Sequence, residues 1–271
     1  MLKRLVYLTT TLLLFGFMTG VQAQEEASAA SLYNSGLEKI KAKEYAEGLA
    51  LMDQAIEKAD PESETDAKVI KLAKRNGAIA AYYAGKSQAK KDDLEGALAT
   101  YDKGIDYNPG FYANYIGRAQ TLEKQGQITE AIGAYVKAGE VSEKGKKADK
   151  AEKMYSKAEN IVALEWGDKK WASTIEYAEA FLAADRETAE VHYYLASALK
   201  ASDQETKAIE HAEKAIALAA ESDADKYLFL KAECLESTGQ KEAAVEAYKE
   251  ISDAKYAERA QYKVKELTGE N

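Results

Sequence analysis

The chain has 271 residues, of which 46% are hydrophobic and 31% charged, with two prolines, one cysteine and a formal charge of −9 from 37 basic and 46 acidic side chains. An acidic balance excludes ordinary nucleic-acid binding, which needs a basic face, and a lone Cys234 cannot form an internal disulfide, so packing must carry stability. So little proline beside so much charge fits a long array of amphipathic helices with hardly any need for strands.

Lys3 and Arg4 precede an almost uncharged run from Leu5 to Met18, centred on Leu12, Leu13, Leu14 and Phe15, and Val21-Gln22-Ala23 supplies small residues for cleavage. This is the layout of a secretory signal peptide. The 14-residue run is shorter than the ~20 apolar residues that span a bilayer. The expectation is therefore a cleaved leader, residues 1–23, and a mature chain exported to a periplasm or secreted, with no membrane insertion. No Cys follows the run, so lipoprotein acylation has no acceptor, and the absence of any Asn-X-Ser/Thr acceptor favours a bacterium. Loss of Lys3 and Arg4 leaves 35 basic residues against 46 acidic, a charge of −11. Residues 24–28 are expected to form a flexible start.

From there a pattern recurs. Small, bulky and small residues stand at Gly48, Met52, Ala55, then Ala97, Tyr101, Gly104, then Ala131, Tyr135, Ala138, and again at Ala208, Ala212, Ala215 and Ala244, Tyr248, Ile251. Thr174, Ala178 and Phe181 form a weaker copy. Spacings of four and three place each trio on one helix face. Twelve positions before most trios sits another small residue, Gly36, Gly85, Ala119, Ala196 or Ala232, on a second amphipathic segment. Short polar turns such as Lys124-Gln125-Gly126-Gln127 force adjacent helices to pack side by side.

These residues resemble the tetratricopeptide repeat from residue 29 to about 258. Repeats are placed at 29–62, 78–111, 112–145, 155–188, 189–222 and 225–258, about the family's period, with the closing proline kept at Pro109. Val162 departs from the pattern where a small residue is expected. The resemblance implies an all-α, right-handed superhelical solenoid of about six antiparallel helix pairs, its concave face lined mainly by the first helix of each pair. Starts at 29 and 78, and at 112 and 155, lie further apart than the period. The extra residues read as helix, over Asp66 to Ala89 and Lys147 to Glu165, with Pro61 marking the break before the former. A capping helix, Ala257 to Leu267, and a tail close the chain at 271.

Catalysis finds no support. His192 and His211 are the only histidines, too few for most catalytic zinc sites. HExxH, G-x-S-x-G and glycine-rich phosphate loops are absent. No metal, no cofactor and no enzymatic activity are expected. The 18 tyrosines point to binding instead. In the resembled family the fifth residue of each repeat faces the groove, which here gives Tyr33, Tyr82, Ile116, Glu159, Tyr193 and Phe229. Tyr83, Tyr194 and Trp166 adjoin them. Such rings combine a large rigid face with a polar tip and grip an extended peptide at low entropic cost. The family's carboxylate-clamp positions are mostly aromatic or apolar, with Asn34, Lys86 and Asn160 as isolated exceptions.

The leading expectation is an adaptor that binds a protein or peptide partner, in an envelope complex, through this groove. A glycan-binding protein stacking sugars on Trp166 and Trp171, and a self-assembling structural homo-oligomer, are the alternatives.

Overall fold

A computed structural model describes residues 27–220 and 224–269; the expected leader, its cleavage point and residues 24–26 lie outside these. The described residues form helices without a strand: α1 (Ala29–Lys41), α2 (Tyr45–Lys58), α3 (Glu64–Lys90), α4 (Leu94–Tyr107), α5 (Tyr112–Lys124), α6 (Ile128–Lys144), α7 (Ala148–Gly167), α8 (Trp171–Ala183), α9 (Ala189–Lys200), α10 (Glu205–Leu218), α11 (Ala224–Ser237), α12 (Lys241–Lys249) and α13 (Ala254–Thr268). They stack as six antiparallel pairs in a superhelical solenoid closed by α13. No described helix is long and apolar enough to cross a membrane.

The extra residues are helical. α3 runs unbroken for 27 residues from its cap at Ser63, just past Pro61, and α7 for 20. Ser28 is fixed as the cap of α1, its Oγ accepting the Ser31 N–H at 3.2 Å. α13 starts at Ala254, three residues ahead of the expected Ala257, because Asp253 caps it by accepting the Lys255 N–H at 2.7 Å.

Within each pair the turn is the same. Lys43, Asp92, Gly126, Lys169, Asp203 and Gly239 all take left-handed φ values of 57–78°. The following N–H reaches back five residues to a carbonyl, as from Gln127 to Leu122 at 3.0 Å. This Schellman closure satisfies the end of the first helix. Glycine supplies it without strain at Gly126 and Gly239.

Across the turn, a small residue faces a bulky one sixteen positions later: Gly36 and Met52, Gly85 and Tyr101, Ala119 and Tyr135, Ala232 and Tyr248. A Cβ on Gly36 or Gly85 would stand 2.9 Å from Met52 Cε or 2.8 Å from the Tyr101 ring. The small side is therefore a requirement of close helix approach. Val162 answers to Ala178, so the fourth pair reverses the order of sizes, and both residues are fully buried in one cluster. Ala196 and Ala212 are small on both sides; between the same two helices lie the stacked rings of His192 and His211.

The same device occurs once more, between pairs. Ala151, Tyr155 and Ala158 form a buried trio on α7, and Gly139 on α6 precedes Tyr155 by sixteen. A Cβ on Gly139 would lie 2.4 Å from that ring. Lys146 supplies the left-handed turn, and Lys147 N–H bonds the Ser142 carbonyl at 2.9 Å. The Tyr155 hydroxyl donates to Glu143 at 3.0 Å, just as Tyr135 does to Glu123 at 2.7 Å and Tyr248 to Glu236 at 3.0 Å. So α6 pairs with α7 as closely as with α5. Its price is the regular stacking of first helices: α1 packs on α3, α3 on α5, α7 on α9 and α9 on α11, whereas α5 and α7 lack that close approach and α6 meets α8 instead.

Gly139→Ala is expected to destabilise the protein by roughly 1–3 kcal/mol, since overpacking against Tyr155 outweighs a helix-propensity gain of about 1 kcal/mol. Gly133→Ala, on the same helix with nothing within 4 Å of the added Cβ, is expected to stabilise by up to about 1 kcal/mol. Urea unfolding of both variants checks this; equal gains at both positions would refute the packing assignment.

Candidate functional site

The aromatic residues expected in the groove gather into two patches. In the first, Tyr83 stacks on Tyr45 of α2 (centroids 4.5 Å apart, 19° between planes), and Tyr82 touches Tyr83 at 5.0 Å and Phe111 at 6.3 Å. Tyr112 continues the patch 6.3 Å from Phe111. In the second, Trp166 of α7 lies 5.6 Å from Tyr193 and 4.9 Å from Tyr194 of α9, and Tyr193 meets Tyr227 of α11 edge-on at 5.4 Å. Tyr83 is 41% exposed, and Tyr82, Trp166, Tyr193 and Tyr194 are half-buried, so each patch keeps open aromatic surface.

Tyr33 and Phe229 stand apart from both. The Tyr33 hydroxyl accepts Asn76 Nδ2 at 3.0 Å, which ties α1 to α3. Phe229 is 5% exposed: Tyr248 and Tyr256 lie at 5.5 and 5.9 Å, and the Arg259 guanidinium sits 4.5 Å over its ring. The early start of α13 accounts for this, since it lays Tyr256 and Arg259 on Phe229. Glu159 is half-buried, accepts the Thr188 hydroxyl at 3.3 Å and has its carboxyl pushed up by burial. Asn34, Lys86 and Asn160 are exposed and separate.

Two hollows flank the first patch. One of about 460 Å³ lies between α2, α3 and α4, with Tyr45 and Tyr83 in its wall beside the mixed charges Lys43, Glu44, Asp53 and Lys91. The other, about 550 Å³, lies where α5 and α7 stand apart, and is lined by Tyr82, Tyr112, Ile116, Met154, Lys150 and Lys153 among others. The sequence anticipates Tyr82, Tyr83 and Ile116 around these hollows and misses Tyr45, Phe111, Tyr112 and the lysines. The available signals are the Tyr82-Tyr83 and Phe111-Tyr112 doublets and the lysine-rich stretch from 144 to 153.

The sequence profile of the tetratricopeptide repeat matches residues 82–143 and 206–257. Over those residues the chain carries tetratricopeptide repeats. Among solved structures, a thermophilic member from Thermus thermophilus is 14% identical, with 88% of this chain and 99% of that one covered and a TM-score of 0.31. A tetratricopeptide protein of Parabacteroides merdae is 12% identical over 89% and 98% of the two chains, with a TM-score of 0.35. The TPR2AB domain of yeast Sti1, solved in complex with pHSP90, is 15% identical over 89% and 98%, with a TM-score of 0.37. No curated protein matches the chain.

Cys234 and His192 are buried and His211 is half-buried. The described residues contain no group of three or more His, Cys, Asp or Glu side chains placed to hold a metal ion. Cys234 is buried, and burial pushes its thiol up to about 11, so it remains a small hydrophobe. His192 and His211 share one hydrogen bond, Nδ1 to Nδ1 at 3.0 Å, in which one ring holds the proton and the other accepts. Burial lowers both, and the neighbouring His192 lowers His211 further, to about 4; Lys214 opposes protonation and Glu187, 3.6 Å from His192 Nε2, favours it.

The unfolded chain takes up protons near pH 6.5, where the folded pair does not. This contribution to stability is complete above that value and is lost as pH falls toward the depressed folded values. Between about pH 7.5 and about pH 5, the urea midpoint of the native protein is expected to fall more than that of His192→Phe/His211→Phe. Parallel pH profiles would contradict a neutral buried pair.

Proposed function

We propose that the chain is an exported, non-enzymatic adaptor, of bacterial origin, that holds a polypeptide partner of an envelope complex against the face lined by its first helices. The tetratricopeptide repeat is a fold of protein-binding scaffolds, and the leader-like start supports export. The observation that carries the reading is the grouping of Tyr82, Tyr83, Phe111 and Tyr112, and of Trp166, Tyr193 and Tyr194, into two patches with ring surface left open. Core packing needs the buried tyrosines, Tyr101, Tyr135, Tyr155, Tyr227 and Tyr248; it does not need Tyr83 stacked at the surface on Tyr45. An extended segment lying across α3, α5, α7 and α9 meets both patches. Aromatic anchors of this kind carry most of the energy in protein interfaces.

Two measurements test it. N-terminal sequencing of the processed protein is expected to start at Gln24, in a fraction outside the cytoplasm; an intact Met1 inside the cell would overturn export. Cross-linking in the native envelope fraction is expected to join the protein to a specific polypeptide. Tyr82→Ala/Trp166→Ala is expected to weaken that capture by roughly tenfold for each anchor while leaving helical circular dichroism unchanged. Undiminished capture by the folded variant would remove the aromatic patches from the interface.

A further inference from the structure

The hollow between α3, α5 and the start of α7 has a composition unlike the rest of this acidic molecule. Its wall is aromatic and apolar apart from two charged side chains, and both are lysines, Lys150 and Lys153. Next to it a second hollow of about 570 Å³ shares Tyr112 and Lys150 and adds Lys146 and Lys147, with Asp149 as its one carboxylate. Lys147 Nζ stands 4.4 Å over the Tyr112 ring. Among the described residues none of Lys146, Lys147, Lys150 and Lys153 is in an ion pair, whereas Lys124, Lys157, Lys226 and Lys263 each meet a carboxylate within 3.0 Å.

These lysines reach the site through a feature of this chain. Residues 148–154 are the first turns of α7, part of the length that exceeds the repeat period. The additional α6–α7 pairing carries them over the opening left where α5 and α7 do not approach closely. Uncovered ammonium groups beside an apolar hollow favour a ligand that brings its own carboxylates, since each charge then gains a partner at a partly desolvated surface. The remaining surface is net negative and repels such a ligand, which concentrates its binding here.

We infer that this hollow is the docking site for an acidic segment of the partner polypeptide, in which an apolar side chain flanked by Asp or Glu enters between Tyr82, Ile116 and Met154 while the carboxylates meet Lys150 and Lys153. The inference rests on the adaptor reading and adds the chemistry of the partner. A random peptide library displayed on phage is selected on the protein purified after native processing. Selected sequences are expected to pair Asp or Glu with aliphatic or aromatic residues. Binding of a selected peptide is expected to fall at least tenfold in Lys150→Glu/Lys153→Glu, to persist in Lys150→Arg/Lys153→Arg, and to weaken as salt rises from about 50 mM to about 500 mM.

Both lysines are exposed, so these variants keep the fold, which circular dichroism verifies. Enrichment of neutral or basic peptides, with binding lost in Trp166→Ala/Tyr194→Ala and indifferent to the charge reversal, would overturn the acidic site and leave the adaptor intact. Failure to enrich any peptide would count against both.

Discussion

A side chain too small to keep two helices apart, set opposite one large enough to fill the space it leaves, is the constraint on which this solenoid depends. At Gly36, Gly85 and Gly139 an added Cβ would fall 2.4–2.9 Å from the facing side chain, so the separation of the paired helices is fixed by that one residue. The ring opposite is then held at its tip. Tyr135, Tyr155 and Tyr248 each donate a hydroxyl to a glutamate twelve residues earlier in the chain, which satisfies the one polar atom that burial would otherwise strand. Burial keeps these phenols protonated and able to donate, with Tyr155 raised to about 12. Because each pair is closely packed, each exposes an apolar flank to the next, and the core becomes a ribbon through the stack.

Using the device one extra time has consequences for binding. By closing on α7 as it closes on α5, α6 occupies the place of a second helix and of a first helix at once. The regular contact between α5 and α7 is given up, and a hollow opens on the face that elsewhere is sealed by neighbouring first helices. The two aromatic patches lie on either side of that break, Tyr82 and Tyr112 before it, Trp166 and Tyr193 after it. Binding surface therefore sits where the packing rule is stretched.

Much of the fold is legible in the residues. The trios at four-and-three spacing, the small residues twelve positions before them and the polar turns identify the helix pairs; the long reading over 66–89 lies inside α3, and that over 147–165 lies inside α7 but for Lys147, which precedes its first turn. Legibility stops where one residue answers to two patterns. Ala151, Tyr155 and Ala158 form a full trio, yet a fixed period puts them at the start of a first helix, and only Tyr155 against Gly139 shows that α7 also serves as a second helix. Val162 reads as a lapse until Ala178 is seen opposite, with the order of sizes reversed across the pair. The groove was partly legible: a position rule finds Tyr82 and Tyr193, but gives Phe229 the same standing. Only the placement of α13, fixed by Asp253, puts Tyr256 and Arg259 over that ring. Tyr112 and Lys153 escape the rule because the opening they line comes from a contact that is missing between helices.

The most direct test of a binding surface centred on this break is a crystal structure of the protein with a tightly bound peptide. The expected density places an extended chain against α3, α5 and α7, with a peptide side chain between Tyr82 and Met154 and a carboxylate within reach of Lys153. A peptide seated instead on α4 and α6, with Tyr82, Trp166 and Lys153 untouched, would contradict it.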